Sequence, residues 1–196
     1  PVTSYSQAGQ DLFAWEMCER KTHGFYIDLG CNHPVAINNT YAFEQMGWDG
    51  ILVDLLPGCE VRKGKFFQCD SSNPTKELAK AYLAMPKIVD FLSLDVDEAS
   101  FLTLHTLPLD THRIRVACIE HDAYRGLTVR EDIRDVMACM GYTLVCADVG
   151  IRFPDPAGAP GAFEDWFCHP DLVSQKLIDR FKCSGKEWCE IVKGLN

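Results

Sequence analysis

The sequence has no run of eighteen apolar residues, so no segment of it is expected to span a membrane. None of its 10 cysteines forms a Cys-x-x-Cys pair, which removes the zinc-ribbon and thioredoxin-type readings. There is no Gly-x-Gly-x-x-Gly and no Gly-Lys-Ser/Thr, so the backbone loops that cradle a pyrophosphate or a triphosphate are missing. Basic side chains are scarce: 19 Lys and Arg stand against 28 Asp and Glu, a formal net charge of −9. Nucleic-acid binding, which relies on cations to neutralise phosphates, is therefore not expected. The short basic run Arg62, Lys63 and Lys65 reads as a solvated turn. The opening residues Pro1 to Tyr5 carry no basic cluster ahead of an apolar stretch, so no signal peptide is expected there.

What is present is ordinary globular composition. Of 196 residues, 47% are hydrophobic and 24% charged, enough for one domain over residues 1–196 with a substantial core. Cys31, Cys118 and Cys146 lie in apolar runs, where a free thiol behaves as a small hydrophobe. Cys168, His169, Cys183 and Cys189 can be drawn as a zinc cluster, but their intervals match no usual ligand pattern, and no metal is expected there. A reduced, cytoplasmic protein is the simplest reading of such thiols.

Apolar runs alternate with amphipathic stretches, which predicts an α/β domain with a mostly parallel sheet flanked by helices. Strands are expected over 25–31, 50–56, 66–70, 88–97, 115–120 and 142–147, with a short last one over 163–167. Helices are expected over 10–20, 40–46, 76–85, 129–140 and 172–181, with Gly141 closing the fourth. The stretch 154–161, rich in Pro, Gly and Ala, reads as a loop.

In such a sheet, ligands gather at the carboxyl ends of the strands. Asp28, Gly30 and Asn32 fall at the end of the first strand, Asp54 at the second and Asp70 at the third. Asp95 and Asp97 end the fourth, and Glu120 and His121 the fifth. The single glycine of the first turn suits a nucleoside ligand without phosphates, such as S-adenosylmethionine, better than a dinucleotide. Asp54 stands at about the interval (~20 residues) where an acid meets ribose hydroxyls, although an acid there is as often a turn former. Asp28, in an apolar strand, needs a dedicated partner, because burying a lone carboxylate is costly.

These residues, with others, resemble the FkbM family of S-adenosylmethionine-dependent methyltransferases. The likeness runs from Ser6-Gln7-Ala8-Gly9-Gln10-Asp11 through Phe25-Tyr26-Ile27-Asp28-Leu29-Gly30, Asn39-Thr40-Tyr41, Glu44 and Gly47-Trp48-Asp49-Gly50. It continues in Asp90-Phe91-Leu92-Ser93-Leu94-Asp95, Ile119-Glu120-His121 and Phe163-Glu164-Asp165-Trp166-Phe167. The resemblance implies a Rossmann-like class I methyltransferase fold with a seven-stranded sheet. It further implies that Asp28 and Gly30 line the methionine half of the cofactor, Asp54 holds the ribose, and Asp70 with Ser71 faces the adenine. Gln7 and Gln10 would close over the cofactor, and Asp95 would sit near the reacting methyl. The chain departs from the family where Asp54-Leu55-Leu56-Pro57 replaces an acid followed by proline. It departs again where Asp95-Val96-Asp97-Glu98-Ala99-Ser100 replaces Asp-x-Glu-Gly-x-Glu.

The expected activity is methyl transfer to a hydroxyl of a sugar, glycan or small natural product. His121 is the expected base, since imidazole titrates near neutral pH. Asp95, Asp97 and Glu120 are oxygen ligands of the kind Mg²⁺ takes, but acids after strands are more often caps, and the ion is not favoured. Trp48 and Trp166 could stack on a sugar, although large aromatics are more often core. His33 and His169 are weaker site candidates. The alternatives are a non-catalytic methyltransferase-like binding module and, disfavoured by the single glycine, a nicotinamide-dependent oxidoreductase.

Overall fold

Along β1 (Phe25–Leu29) successive side chains turn to opposite faces of a sheet, and both faces are covered. Tyr26 packs with Phe43, Leu52 and Phe91 on one side, while Ile27 and Leu29 pack with Ile51, Leu78 and Leu92 on the other. A strand buried on both faces has to be apolar nearly throughout, which is why the sequence reads as continuous apolar runs there. The computed structural model describes residues 3–152 and 158–195.

The remaining strands are β2 (Asp49–Asp54), β3 (Lys65–Gln68), β4 (Ile88–Leu94), β5 (Arg113–Glu120), β6 (Thr143–Ile151), β7 (Gly161–Cys168) and β8 (Cys183–Ser184). All belong to one sheet with the order β3-β2-β1-β4-β5-β7-β6-β8. The first five are parallel, β7 is antiparallel to both β5 and β6, and β8 pairs parallel with β6. The expected seven-stranded, mostly parallel sheet is thus corrected to an eight-stranded mixed one. The reason lies in the connection 152–160, which is too short for the crossover that a parallel neighbour requires. The loop expected over 154–161 falls partly outside the described residues, and its last residue, Gly161, already belongs to β7.

Helices α1 (Gln10–Met17), α2 (Tyr41–Gln45), α6 (Gln175–Phe181) and α7 (Trp188–Ile191) cover the Tyr26 face. Helices α3 (Lys76–Ala84), α4 (Ser100–Leu104) and α5 (Arg130–Cys139) cover the other. The Thr75 hydroxyl caps α3 by accepting from the Leu78 amide at 3.2 Å. Gly141, in the left-handed region at φ 84°, follows α5 as its sequence position predicts. The short helices α4 and α7 and the two-residue β8 were not expected. No described helix is long and apolar enough to cross a membrane.

The chain runs from β1 outward to β2 and β3, then returns to the other side of β1 as β4. This reversal of strand order opens a crevice at the carboxyl ends of β1 and β4.

Candidate functional site

The crevice is a cavity of about 350 Å³ above the ends of β1, β2, β3 and β4. Five aspartates line it: Asp28, Asp54, Asp70, Asp95 and Asp97. Among the described residues, no Lys, Arg or His shares that lining. Gln7, Gly30, Asn32 and Ser71 also line it, so eight of the ten expected site residues meet in one place; Gln10 and His121 do not.

Asp28 is buried on the Tyr26 face and accepts from the Thr40 hydroxyl at 2.7 Å and the Asn38 amide at 3.4 Å. These side chains are the dedicated partners that its position in the strand demands. Burial lifts its carboxyl to about 6, against the opposing effects of Thr40 and Arg62. Asn38 also caps the turn that leads into α2, its Oδ1 accepting from the amides of Thr40 and Tyr41. Beside it, Asn39 donates to the Ser93 hydroxyl at 2.9 Å and leaves its own buried Oδ1 without a partner at the crevice wall.

Arg62 holds this wall from behind. Its guanidinium donates to Glu44 at 2.9 Å, to the Pro34 carbonyl and to Asn38 Oδ1 at 3.1 Å, and lies over the rings of Tyr26 and Tyr41. The solvated basic turn expected at Arg62 is corrected: the side chain is 2% exposed, and its charge is spent on Glu44.

Asp54 joins two turns, with Oδ2 accepting from the Asn32 amide at 2.7 Å and Oδ1 from the Leu56 amide at 2.8 Å. Asp70 accepts from the amide and hydroxyl of Ser72, which hold its carboxyl below the usual range. The Ser71 hydroxyl is engaged with that of Thr103 at 3.1 Å. Around the mouth stand the exposed apolar side chains Ile37, Leu55 and Leu56. Ile37 has φ 53°, a costly conformation for a β-branched residue and one that concentrates at functional sites.

At the other end, a second ring of acids lies behind Asp95. Burial raises the carboxyls of both Asp95 and Glu120, and the hydrogen bond between them raises Glu120 further. Glu164, on β7 opposite Glu120, is also pushed well up by burial and accepts from the Trp166 indole at 2.6 Å. Arg125 is the cation of this region, meeting Asp97 at 2.6 Å and Asp122 at 2.5 Å.

His121 does not reach the crevice. It is wholly buried, its Nδ1 accepts from the Ala123 amide at 3.2 Å, and its Nε2 faces Asp165 at 3.5 Å. With Nδ1 occupied as an acceptor, the ring N–H lies on Nε2, toward Asp165. Asp165 is held in turn by Arg134 and by the Asp148 amide. The expected base is thus a member of a buried network that ties β5 to β7 and α5. Gln10 is likewise buried, at the first position of α1, accepting from the Ala8 amide at 2.8 Å and bonding Glu164.

The weaker candidates also resolve. His33 is exposed and accepts from the amides of Val35 and Ala36, as a turn former does. Because β7 runs antiparallel, His169 at its end lies beside Arg115 near the start of β5, at the end of the strands away from the crevice. Trp48 and Trp166 are core, packed on Phe43 and Phe13 with centroids at 4.5 Å in each case. All ten cysteines are free, and among the described residues Cys168, His169, Cys183 and Cys189 are not gathered for an ion.

No protein-family model and no curated protein matches the sequence. Among solved structures, the chain is similar to a candidate hemolysin from Lactococcus lactis, with a TM-score of 0.53 and 12% identity over 97% of this chain and 98% of that one. It also aligns with a DUF574 family protein from Streptomyces avermitilis, with a TM-score of 0.45 and 15% identity over 84% and 83%. The first likeness concerns the fold alone.

Proposed function

We propose that the crevice binds S-adenosylmethionine and that the protein transfers its methyl group to a hydroxyl of a sugar, glycan or small natural product. The reading takes the fold as methyltransferase-like, in keeping with the FkbM resemblance of the sequence. The observation that carries it is the charge of the lining: five aspartates with no cationic side chain. A pyrophosphate placed there would meet only like charge, which disfavours a nicotinamide dinucleotide, whereas a sulfonium and an ammonium would be attracted.

Within this reading, Asp28 and the free Oδ1 of Asn39 receive the ammonium of the methionine half. Asp54 accepts from the ribose hydroxyls at the ends of the two turns that it joins. The adenine lies toward Asp70 and Ser71, against the apolar rim of Leu55 and Leu56. The acceptor oxygen attacks the methyl carbon in line, the carbon–sulfur bond breaks, and its electron pair remains on sulfur as a neutral thioether. The hydroxyl proton passes to Asp95, the acid that enters the crevice from the end of β4. Alignment of oxygen, carbon and sulfur supplies most of the rate.

The test is transfer of label from methyl-tritiated S-adenosylmethionine over a panel of hydroxylated sugars and phenols. Label should enter at least one acceptor with the natural protein and fall at least about tenfold in Asp95→Asn. Absence of S-adenosylhomocysteine formation with every acceptor contradicts the catalytic half of the proposal and leaves a binding module.

A further inference from the structure

Behind the crevice, one carboxylate oxygen from each of Asp97, Glu120 and Asp122 lies within 4.8 Å of the others. Three acids in proximity are common without an ion, and here a second observation separates them from such a cluster. Asp122 is 1% exposed, and its Oδ1 is enclosed without any hydrogen-bond partner among the described residues. Buried carboxylate oxygens without a donor are costly, and water or protein donors normally satisfy them. Arg125 meets Asp97 Oδ1 and Asp122 Oδ2, so one half-exposed guanidinium is shared between two of the three acids.

We propose that Asp97, Glu120 and Asp122 form a binding site for a hard divalent cation of the Mg²⁺ type. An all-oxygen set with few protein ligands suits an ion that keeps several waters. Asp97, at 61% side-chain exposure, gives the ion a route from solvent, and it also lines the crevice. Arg125 holds part of this position in the ion-free protein and leaves toward solvent when the ion binds. An ion there stands next to the acceptor side of the crevice, where it would bind an acceptor hydroxyl and lower its pKa. That last consequence rests on the methyl-transfer reading; the site itself does not.

The experiment is Mn²⁺ titration of the full chain, free of any cofactor, followed by the electron paramagnetic resonance of free Mn²⁺ and by competition with Mg²⁺. One Mn²⁺ per chain should bind and be displaced by Mg²⁺. Asp122→Asn should weaken binding by about tenfold or more. Asp97→Asn, a change at an exposed side chain that leaves the fold intact, should weaken it severalfold. Arg125→Gln should tighten it, because the competing cation is gone. No bound Mn²⁺ at millimolar concentration, or binding that neither aspartate variant weakens, overturns the site. Because S-adenosylmethionine is absent throughout, either result leaves the cofactor reading to be judged separately.

Discussion

The carbonyl oxygen of Asp95 occupies the place that a side chain on Gly30 would need: a Cβ built there comes within 1.7 Å of it. The turn after β1 and the end of β4 therefore meet backbone to backbone, with the Asp95 amide donating to the Leu29 carbonyl at 2.9 Å. Gly30 also has φ 85°, so two independent constraints fix the residue. Gly30→Ala should destabilise the fold by several kcal/mol, on the order of the larger single-site effects, and should abolish ligand binding. Urea unfolding checks the first expectation, and a variant of natural stability contradicts it.

Arg62 and Glu44 form an ion pair out of water behind the crevice wall. Arg62→Met leaves Glu44 without its charge partner and should cost roughly 3–5 kcal/mol. Adding Glu44→Gln removes the stranded charge and should recover part of that loss. A double-mutant cycle by urea unfolding measures the coupling, and a strictly additive result contradicts it.

The pH dependence of Asp28 has a definite sign. Burial lifts its carboxyl from 3.8 to about 6, so the folded protein holds this proton over a range where the unfolded chain has lost it. The contribution to stability is present in full below about pH 4 and is lost as pH rises through about 6, roughly 3 kcal/mol in all. A cation bound beside Asp28 favours its carboxylate, so S-adenosylmethionine affinity should rise over the same interval. Asp28→Asn should flatten both profiles relative to the natural protein. Parallel profiles in the two proteins contradict the assignment.

His121 is placed to stabilise rather than to transfer protons. His121→Asn should lower stability by about 1–3 kcal/mol through its lost contact with Asp165. The rate per folded molecule should stay near that of the natural protein. Thermal unfolding beside a single-turnover assay separates the two, and a stable but inactive variant restores His121 as the base.

The strands were legible because a sheet buried on both faces writes itself as apolar runs, as in Phe25–Leu29 and Ile88–Leu94. The acids that follow those runs were equally legible, and they do meet in one crevice. The direction of β7 was not, since an apolar run carries no sign of its orientation; that depended on a short connection. His121 follows Glu120 at a strand end, but the neighbouring strand β7 brought Asp165 against it, a pairing between distant segments that local pattern does not reveal. Gln10 was misplaced for a similar reason, because Glu164 reaches it only through the folded sheet. Arg62 looked like part of a charged turn because its partner, Glu44, is eighteen residues away in the chain. Asn39 opens one segment of the family likeness and Asn38 precedes it, but local pattern does not reveal their hydrogen bonds to Ser93 and Asp28.

The acidic crevice should select an adenosyl sulfonium over a phosphate-bearing nucleotide. Calorimetric titration of the natural protein with S-adenosylmethionine, S-adenosylhomocysteine and NADH, alongside Asp54→Ala, measures that selection directly. One molecule of S-adenosylmethionine should bind per chain, more tightly than its neutral product, with no heat from NADH and a loss of about tenfold or more in Asp54→Ala. Binding of NADH in place of S-adenosylmethionine, or no response to either at millimolar concentration, would contradict the account.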